Sequence, residues 1–514
     1  MVRIIGLVVL LAGFSTSAVA QEDSDHWRRL GERAVRDAER LKPVTRPAKK
    51  VILFVGDGMG VSTVTAARIL QGQLDGGPGE ENLLSFEKLP FTALSKTYNT
   101  NLQTPDSAGT MTAMMTGVKT RAGVISMGPL APRANCAGSK GRELVTFLEL
   151  AEQAGWATGI VSTATVTHAT PGATYAHVPE RYWEDDGDLT AEAIANGCLD
   201  IARQLVEFPR GDGPEVVLGG GRANFLPVGT VDPEYAESRG ERRDERNLIE
   251  AWQDRYPKGT YVWNLAQFQK IRPRRTERVL GLFEPRMMRY EADRSEDLAG
   301  EPSLAEMTKL AIAVLERDPE GFFLMVEGGR IDHGHHAGNA YRALTDTIAF
   351  ADAVAVAARM TSSKDTLIIV TADHSHTLTI SGYARRGNPI LGKAGTPGSP
   401  LLDAMGLPYT TLSYANGPGY VGASSSQAAG PKRYPHRAGS IESSTGRPDI
   451  TDVDTTDANY LQEATVPLAS ETHAGEDVPV YASGPSAHLV RGVIEQNVIF
   501  HLMMASVHGF KKGN

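Results

Sequence analysis

The stretch Val51-Ile52-Leu53-Phe54-Val55-Gly56-Asp57-Gly58 decides how this chain folds. Five consecutive apolar residues, mostly β-branched or aromatic, leave no polar face, so the run suits a strand buried on both sides, and the Gly-Asp-Gly ends it. A helical pattern from Ser62 to Leu70 follows. Similar runs recur at 159–162, 215–218, 322–326 and 367–370, with helical patterns at 144–154, 192–207, 303–317 and 340–360. Continuous apolar strands alternating with amphipathic helices predict an α/β fold: a large, mostly parallel central sheet with helices on both faces.

Outward from this core, residues 1–20 read as a signal peptide: Arg3, an apolar run from Ile4 to Phe14, then Ala18-Val19-Ala20 before polar Gln21. The remainder, 21–514, is read as one elaborated domain in a periplasmic or secreted protein. Residues 26–41 are polar with a thin apolar stripe and predict an exposed or partner-facing helix. From about 382 to 470 the texture turns to Gly, Pro, Ser and Tyr, which predicts an irregular insertion. The last residues, His508 to Asn514, carry no apolar tail of the kind that signals a lipid anchor. With 61 acidic against 52 basic residues and a net charge of -9, the composition gives no reason to expect nucleic acid or an anionic membrane as partner. In an exported chain the two cysteines, Cys136 and Cys198, point to one disulfide, with two separate buried thiols as the alternative.

The predicted strands end in acids: Asp57 after the first, Glu327 after Phe322–Val326, and Asp373-His374 just beyond Leu367–Val370. Ligands gather beyond the carboxyl ends of strands in open α/β sheets. A single such carboxylate is commonly a helix cap, but three on one sheet point to a site. Asp332 and His336 lie four residues apart, on one face of a helical turn, and a mixed Asp/His set suits zinc. His333 and His335 read as neighbours of ligands rather than ligands, and the spacing of the lone His473 assigns it nothing. Ser107 opens a helical segment, where free N–H groups and the dipole favour an alkoxide or bound phosphate, an ordinary N-cap serine being the alternative.

The motifs GDGMG (56–60), DSAGTMTAMMTG (106–117), THATPGATYAH (167–177), VEGGRIDHGHH (326–336), TADHSHT (371–377) and ETHAGEDVPVYASGP (471–485) together resemble the alkaline phosphatases, in particular the branch that includes the animal enzymes. They run in family order from about residue 50 to 500. The resemblance implies hydrolysis of phosphate monoesters through a phosphoserine on Ser107, with two zinc ions and one magnesium. It implies that Asp332, His336 and His473 hold the first zinc, that Asp57, Asp373, His374 and Ser107 surround the second, and that Asp57, Thr170 and Glu327 hold the magnesium. His168 would stand beside the metals, Arg181 would clamp the phosphate, and Cys136 would pair with Cys198. It further implies a homodimer to which 26–41 and the crown-like insertion contribute, and a calcium site built from Glu234, Phe283, Glu284 and Glu301.

Two other readings belong beside this one. A phosphodiesterase or sulfatase could use the same sheet, but neither Ser107 nor Cys136 begins the Cys/Ser-x-Pro-x-Arg stretch that sulfatases mature. A binding protein without turnover would share the fold, and the intact Ser107 weighs against it.

Overall fold

The computed structural model describes residues 23–510, so the expected leader at 1–20 lies outside the described residues. Helix α1 (Ser24–Glu39) forms a unit of its own, apart from the body of the chain beginning at Val44. Asp23 caps it by accepting the His26 N–H at 2.8 Å, and none of its residues is buried, Trp27, Leu30 and Val35 included.

Ten strands make the central sheet: β1 (Lys50–Gly56), β2 (Phe91–Lys96), β3 (Ala157–Thr165), β4 (Val216–Gly220), β5 (Thr260–Val262), β6 (Val279–Leu282), β7 (Phe322–Gly328), β8 (Thr366–Ala372), β9 (Val478–Ser483) and β10 (Val493–Glu495). Their order is β10-β2-β9-β8-β1-β7-β3-β4-β6-β5, and β9 alone runs against its neighbours. The apolar run thus lies in the middle of the sheet, flanked by β7 and β8 in parallel register. Val51, Leu53 and Val55 enter one core while Ile52 and Phe54 enter the other, as the two-residue period of a strand requires. Burying each such side chain stabilises by about 1.5–3 kcal/mol, which makes β1 costly to shift and so fixes Asp57 at its end.

The helices that frame the site are α2 (Val61–Leu74), α3 (Ser107–Thr116), α4 (Ala169–Tyr175), α5 (Leu304–Leu315), α6 (Arg330–His336) and α7 (Ala340–Met360). Helices α2, α5 and α7 pack in the core that takes Ile52 and Phe54; α3 and α4 pack in the other. Helix α5 starts where its residues dictate, at a Ser303/Glu306 capping box. The helix expected over 192–207 is instead two, Ala191–Ala195 and Ile201–Val206. Gly197 adopts φ 74°, a left-handed conformation that ends the first, and Asp200 caps the second. Cys198, between them, is joined to Cys136, so the reading with separate thiols does not hold. Within the 382–470 stretch, Leu412–Gly417 is the middle strand of a small three-stranded sheet, antiparallel to Leu378–Ile380 on one side and parallel to Ala464–Pro467 on the other. Among the described residues no helix is long and apolar enough to cross a membrane.

Candidate active site

Ser107 is the first residue of α3, but it does not cap the helix. Asp106 does, accepting the Gly109 N–H at 3.1 Å, and the Ser107 hydroxyl is left free to meet His374 Nε2 at 3.1 Å. Asp106 is held in turn by the Gly123 N–H at 2.7 Å and by Arg181 Nη1 at 3.2 Å. Arg181 also donates through Nη2 to His168 Nε2 at 3.0 Å, and burial followed by the charge of Arg181 lowers the His168 pKa to about 4, so that imidazole is a neutral acceptor.

Because β8, β1 and β7 are adjacent, their ends bring three groups of ligand-type side chains together. Asp57, Asp373 and His374 form one, all fully buried; His374 Nε2 is 3.3 Å from a carboxylate oxygen of each aspartate. Asp57 is shared with a second group, completed by Glu327 and His168. The third is Asp332, His336, His376 and His473. His336 and His473 each place Nε2 3.3 Å from Asp332 Oδ1, and their Nδ1 atoms face the Glu471 and Pro105 carbonyls, which fixes the tautomer that leaves Nε2 free to bind a metal.

His473 reaches this group through a short antiparallel ladder, with His473 opposite His376 and Ala474 opposite Ser375. His376 was not singled out from the sequence; its only signal there was its position two residues beyond His374. Both its nitrogens are engaged by carboxylates, Nε2 with Asp332 at 2.7 Å and Nδ1 with Glu471 at 2.5 Å. Burial opposes its charge, yet Glu471 and Asp332 raise its pKa to about 10, so it stands as an imidazolium that orients Asp332. Gly58 makes room for it: at φ 69° a Cβ there would lie 2.4 Å from the His376 ring. His335 is bound by the Tyr414 hydroxyl and by Thr63, and stacks on His376; His333 points to the His168 ring.

The electrostatics of this donor set call for cations. Neither oxygen of Asp57, nor Glu327 Oε1, Thr170 Oγ1 or His168 Nδ1, has a hydrogen-bond partner, although all are buried. Burial, then the charges of Asp373, Asp332 and Glu327, pushes Asp57 far above the usual carboxylate range, and burial takes Glu327 to about 8. Asp332 is the exception: burial opposes its charge, but His336, His376 and His473 hold it well below that range. Four carboxylates in so dry a space are stable as anions only beside positive charge. Asp, His and Thr oxygen and nitrogen donors fit zinc and magnesium.

The residues expected to bind calcium divide. Glu234 and Glu284 come together, but their third partner is Asp297 rather than Glu301. A 3₁₀ turn at Arg294–Glu296 brings Asp297 into the cluster, where its Oδ2 is buried without a partner. Glu301 instead accepts the Arg289 N–H at 2.9 Å, with burial pushing its carboxyl up to about 9. Phe283 is buried beside this cluster, its N–H donated to the Gly219 carbonyl.

A parallel sheet whose central strand ends supply clustered Asp and His groups around a serine at a helix N-terminus defines a metal-dependent α/β hydrolase. The model of the family described as alkaline phosphatase matches residues 48–508, and the chain belongs to that family, whose members hydrolyse phosphate monoesters. It is 46% identical over 510 residues to the tissue-nonspecific isozyme of alkaline phosphatase from Gallus gallus, covering 97% of this chain and 92% of that one. It is 45% identical over 484 residues to an alkaline phosphatase from Gadus morhua, covering 93% and 95%. Among solved structures, the Thermus thermophilus alkaline phosphatase superposes with a TM-score of 0.64 at 24% identity, over 92% of this chain and 94% of that one, a likeness of fold.

Proposed function

We propose that the chain hydrolyses phosphate monoesters in two steps through a phosphoserine on Ser107. The observation that carries this reading is the placement of the Ser107 hydroxyl on the first turn of α3, 3.1 Å from His374 and thus beside the Asp57/Asp373/His374 group. In the first step Ser107 Oγ bonds to phosphorus while the ester P–O bond breaks, and the alcohol leaves with that electron pair and takes up a proton. In the second a water oxygen bonds to phosphorus and Ser107 Oγ departs, regaining its proton. The free N–H groups of α3 favour the anionic oxygen at Ser107 and the phosphate it carries. Arg181, oriented by Asp106 and His168, presents a permanently charged fork that fits two phosphate oxygens.

Asp332, His336 and His473 would hold one zinc, Asp57, Asp373 and His374 with Ser107 the other, and Asp57, Thr170 and Glu327 a magnesium. When bound, these ions supply positive charge for the attacking and leaving oxygens of an in-line displacement. His168 stands with Asp57 and Glu327 as a further donor. Glu234, Glu284 and Asp297, with the Phe283 carbonyl, would take calcium.

The test is Ser107→Ala. Turnover of a monoester should fall by at least about 10³-fold, the scale on which removal of a nucleophile acts, with zinc content and fold intact and no phosphate bound covalently after acid quench. Near-parental turnover would exclude Ser107 as nucleophile.

The same reading extends to setting and assembly. The leader at 1–20 would direct export to the periplasm or beyond, to be read from a mature N-terminus at Gln21. Helix α1, with every apolar side chain uncovered, and the 382–470 insertion would take part in a homodimer; a monomer by light scattering at micromolar concentration would contradict it.

A further inference from the structure

Tyr182 follows Arg181 directly, yet the two-step mechanism makes no use of it. The next residue, Trp183, is 2% exposed and locked in the core, whereas Tyr182 is 63% exposed. Its ring centroid lies 5.7 Å from the guanidinium carbon of Arg181 and 5.8 Å from that of Arg133. The ring does not hang from a loose loop. Arg133 is tied to Glu180 by paired hydrogen bonds of 2.8 and 2.9 Å, the Tyr182 N–H donates to the same carboxylate at 3.3 Å, and the Arg181 N–H donates to the Gly123 carbonyl at 2.9 Å. An aromatic face is therefore held open to solvent just outside a guanidinium whose own side chain is only 11% exposed.

We propose that Tyr182 is a specificity-determining contact: it forms the wall on which the organic part of the substrate lies, and it favours esters of flat aromatic alcohols over alkyl esters. This rests on the phosphatase reading, with Arg181 on the phosphate. In an in-line displacement the ester oxygen points away from Ser107, toward solvent, so the first atoms of the leaving alcohol emerge beside the group that grips the phosphate. Tyr182 is the exposed aromatic ring at that place. Offset or edge-to-face ring pairs add attraction that an alkyl chain does not receive. Once the alcohol has left, the phosphoserine is the same for every ester, so the preference belongs to kcat/KM and not to the second step.

The experiment compares kcat/KM for phenyl phosphate and ethyl phosphate in the parent enzyme, Tyr182→Ala and Tyr182→Phe, each with inhibition by inorganic phosphate. Tyr182→Ala should lower the phenyl value about 3- to 10-fold and the ethyl value by less than about two-fold. Phosphate, which has no organic part, should inhibit as before, and Tyr182→Phe, which keeps the ring, should match the parent. Equal losses for both esters with weaker phosphate inhibition would overturn the proposal, showing that Tyr182 acts only by steadying Arg181. An unchanged phenyl-to-ethyl ratio would overturn it as well. A parent enzyme inert toward both esters would sink the phosphatase reading itself, a result distinct from either.

Discussion

Reducing the Cys136–Cys198 bond should cost this protein several kcal/mol of stability and almost none of its activity. The cysteines are 62 residues apart, so the bond closes a long loop that contains β3, α4 and Arg181. In the chain-entropy account a closed loop of that size removes about 14 cal/mol/K from the unfolded ensemble, or about 4 kcal/mol at 25 °C. The folded state has reason to survive reduction unchanged. Cys136 opens a helical turn whose Cys136 and Ala137 N–H groups donate to the Glu192 carboxylate at 3.0 and 2.9 Å, and Glu192 lies in the helical segment just before Cys198. This brace holds the two segments together without the sulfur bond, so the loss falls on the unfolded chain. Urea unfolding followed by far-ultraviolet circular dichroism, with and without a phosphine reductant at fixed protein and metal concentrations, measures the difference, since bound metal shifts the midpoint by itself. A difference below about 1 kcal/mol would refute the entropic argument. A reduced enzyme that stays folded but loses turnover would refute the rest, because the bond would then be positioning Arg181.

Glu152, far along the chain from the clustered acids, is pushed by burial from 4.5 to about 7 despite hydrogen bonds from Thr158 Oγ1 and the Gly213 N–H. Between those values the folded chain keeps a proton that the unfolded chain has lost, so stability should fall as pH rises from about 4.5 to 7, by at most about 3 kcal/mol from this group, and level off above. Glu152→Gln should flatten that slope in melting temperatures taken at pH 5 and pH 7; an equally steep fall in the variant would rule out Glu152 as its source. At the Glu234/Glu284/Asp297 cluster, millimolar calcium should raise the melting temperature of zinc-loaded protein, and both Glu284→Gln and Asp297→Asn should abolish the rise while Glu301→Gln leaves it. The reverse pattern would return the site to Glu301.

The core of the fold was legible because burial leaves a mark on composition. A strand covered on both faces must be apolar through its middle, and β1, β7 and β8 are so at 51–55, 322–326 and 367–370. Strands β2, β5, β9 and β10 carry no such mark, and β6 carries it over four residues only: β2 alternates buried and exposed residues, and β5 is three residues long. Their place is set by neighbours that already exist, not by their own pattern. The helix read over 192–207 failed for a local reason, since the amphipathic pattern continues through Gly197 while its left-handed φ ends the helix.

The site divides along the same line. Asp57, Glu327 and Asp373-His374 were readable because each follows a readable strand, although only the order β8-β1-β7 shows that they meet. His473 and His376 meet through pairing across nearly a hundred residues, which no spacing reveals. The resemblance places Glu301 with Glu234 and Glu284 by its position before Pro302-Ser303-Leu304, whereas in the structure the carboxylate that joins those two is Asp297, just after the 3₁₀ turn at Arg294–Glu296. Charge adds what neither pattern nor resemblance supplies. Asp332 has imidazoles to face, but burial and mutual repulsion leave the carboxyls of Asp57, Glu327 and Asp373 raised, so bare protein must protonate acids there or tolerate their repulsion. Ions held there would relieve that repulsion in the folded state alone, which would make metal affinity a contribution to folding. The residues proposed to serve phosphate chemistry are therefore among those that most need positive charge beside them in the folded state.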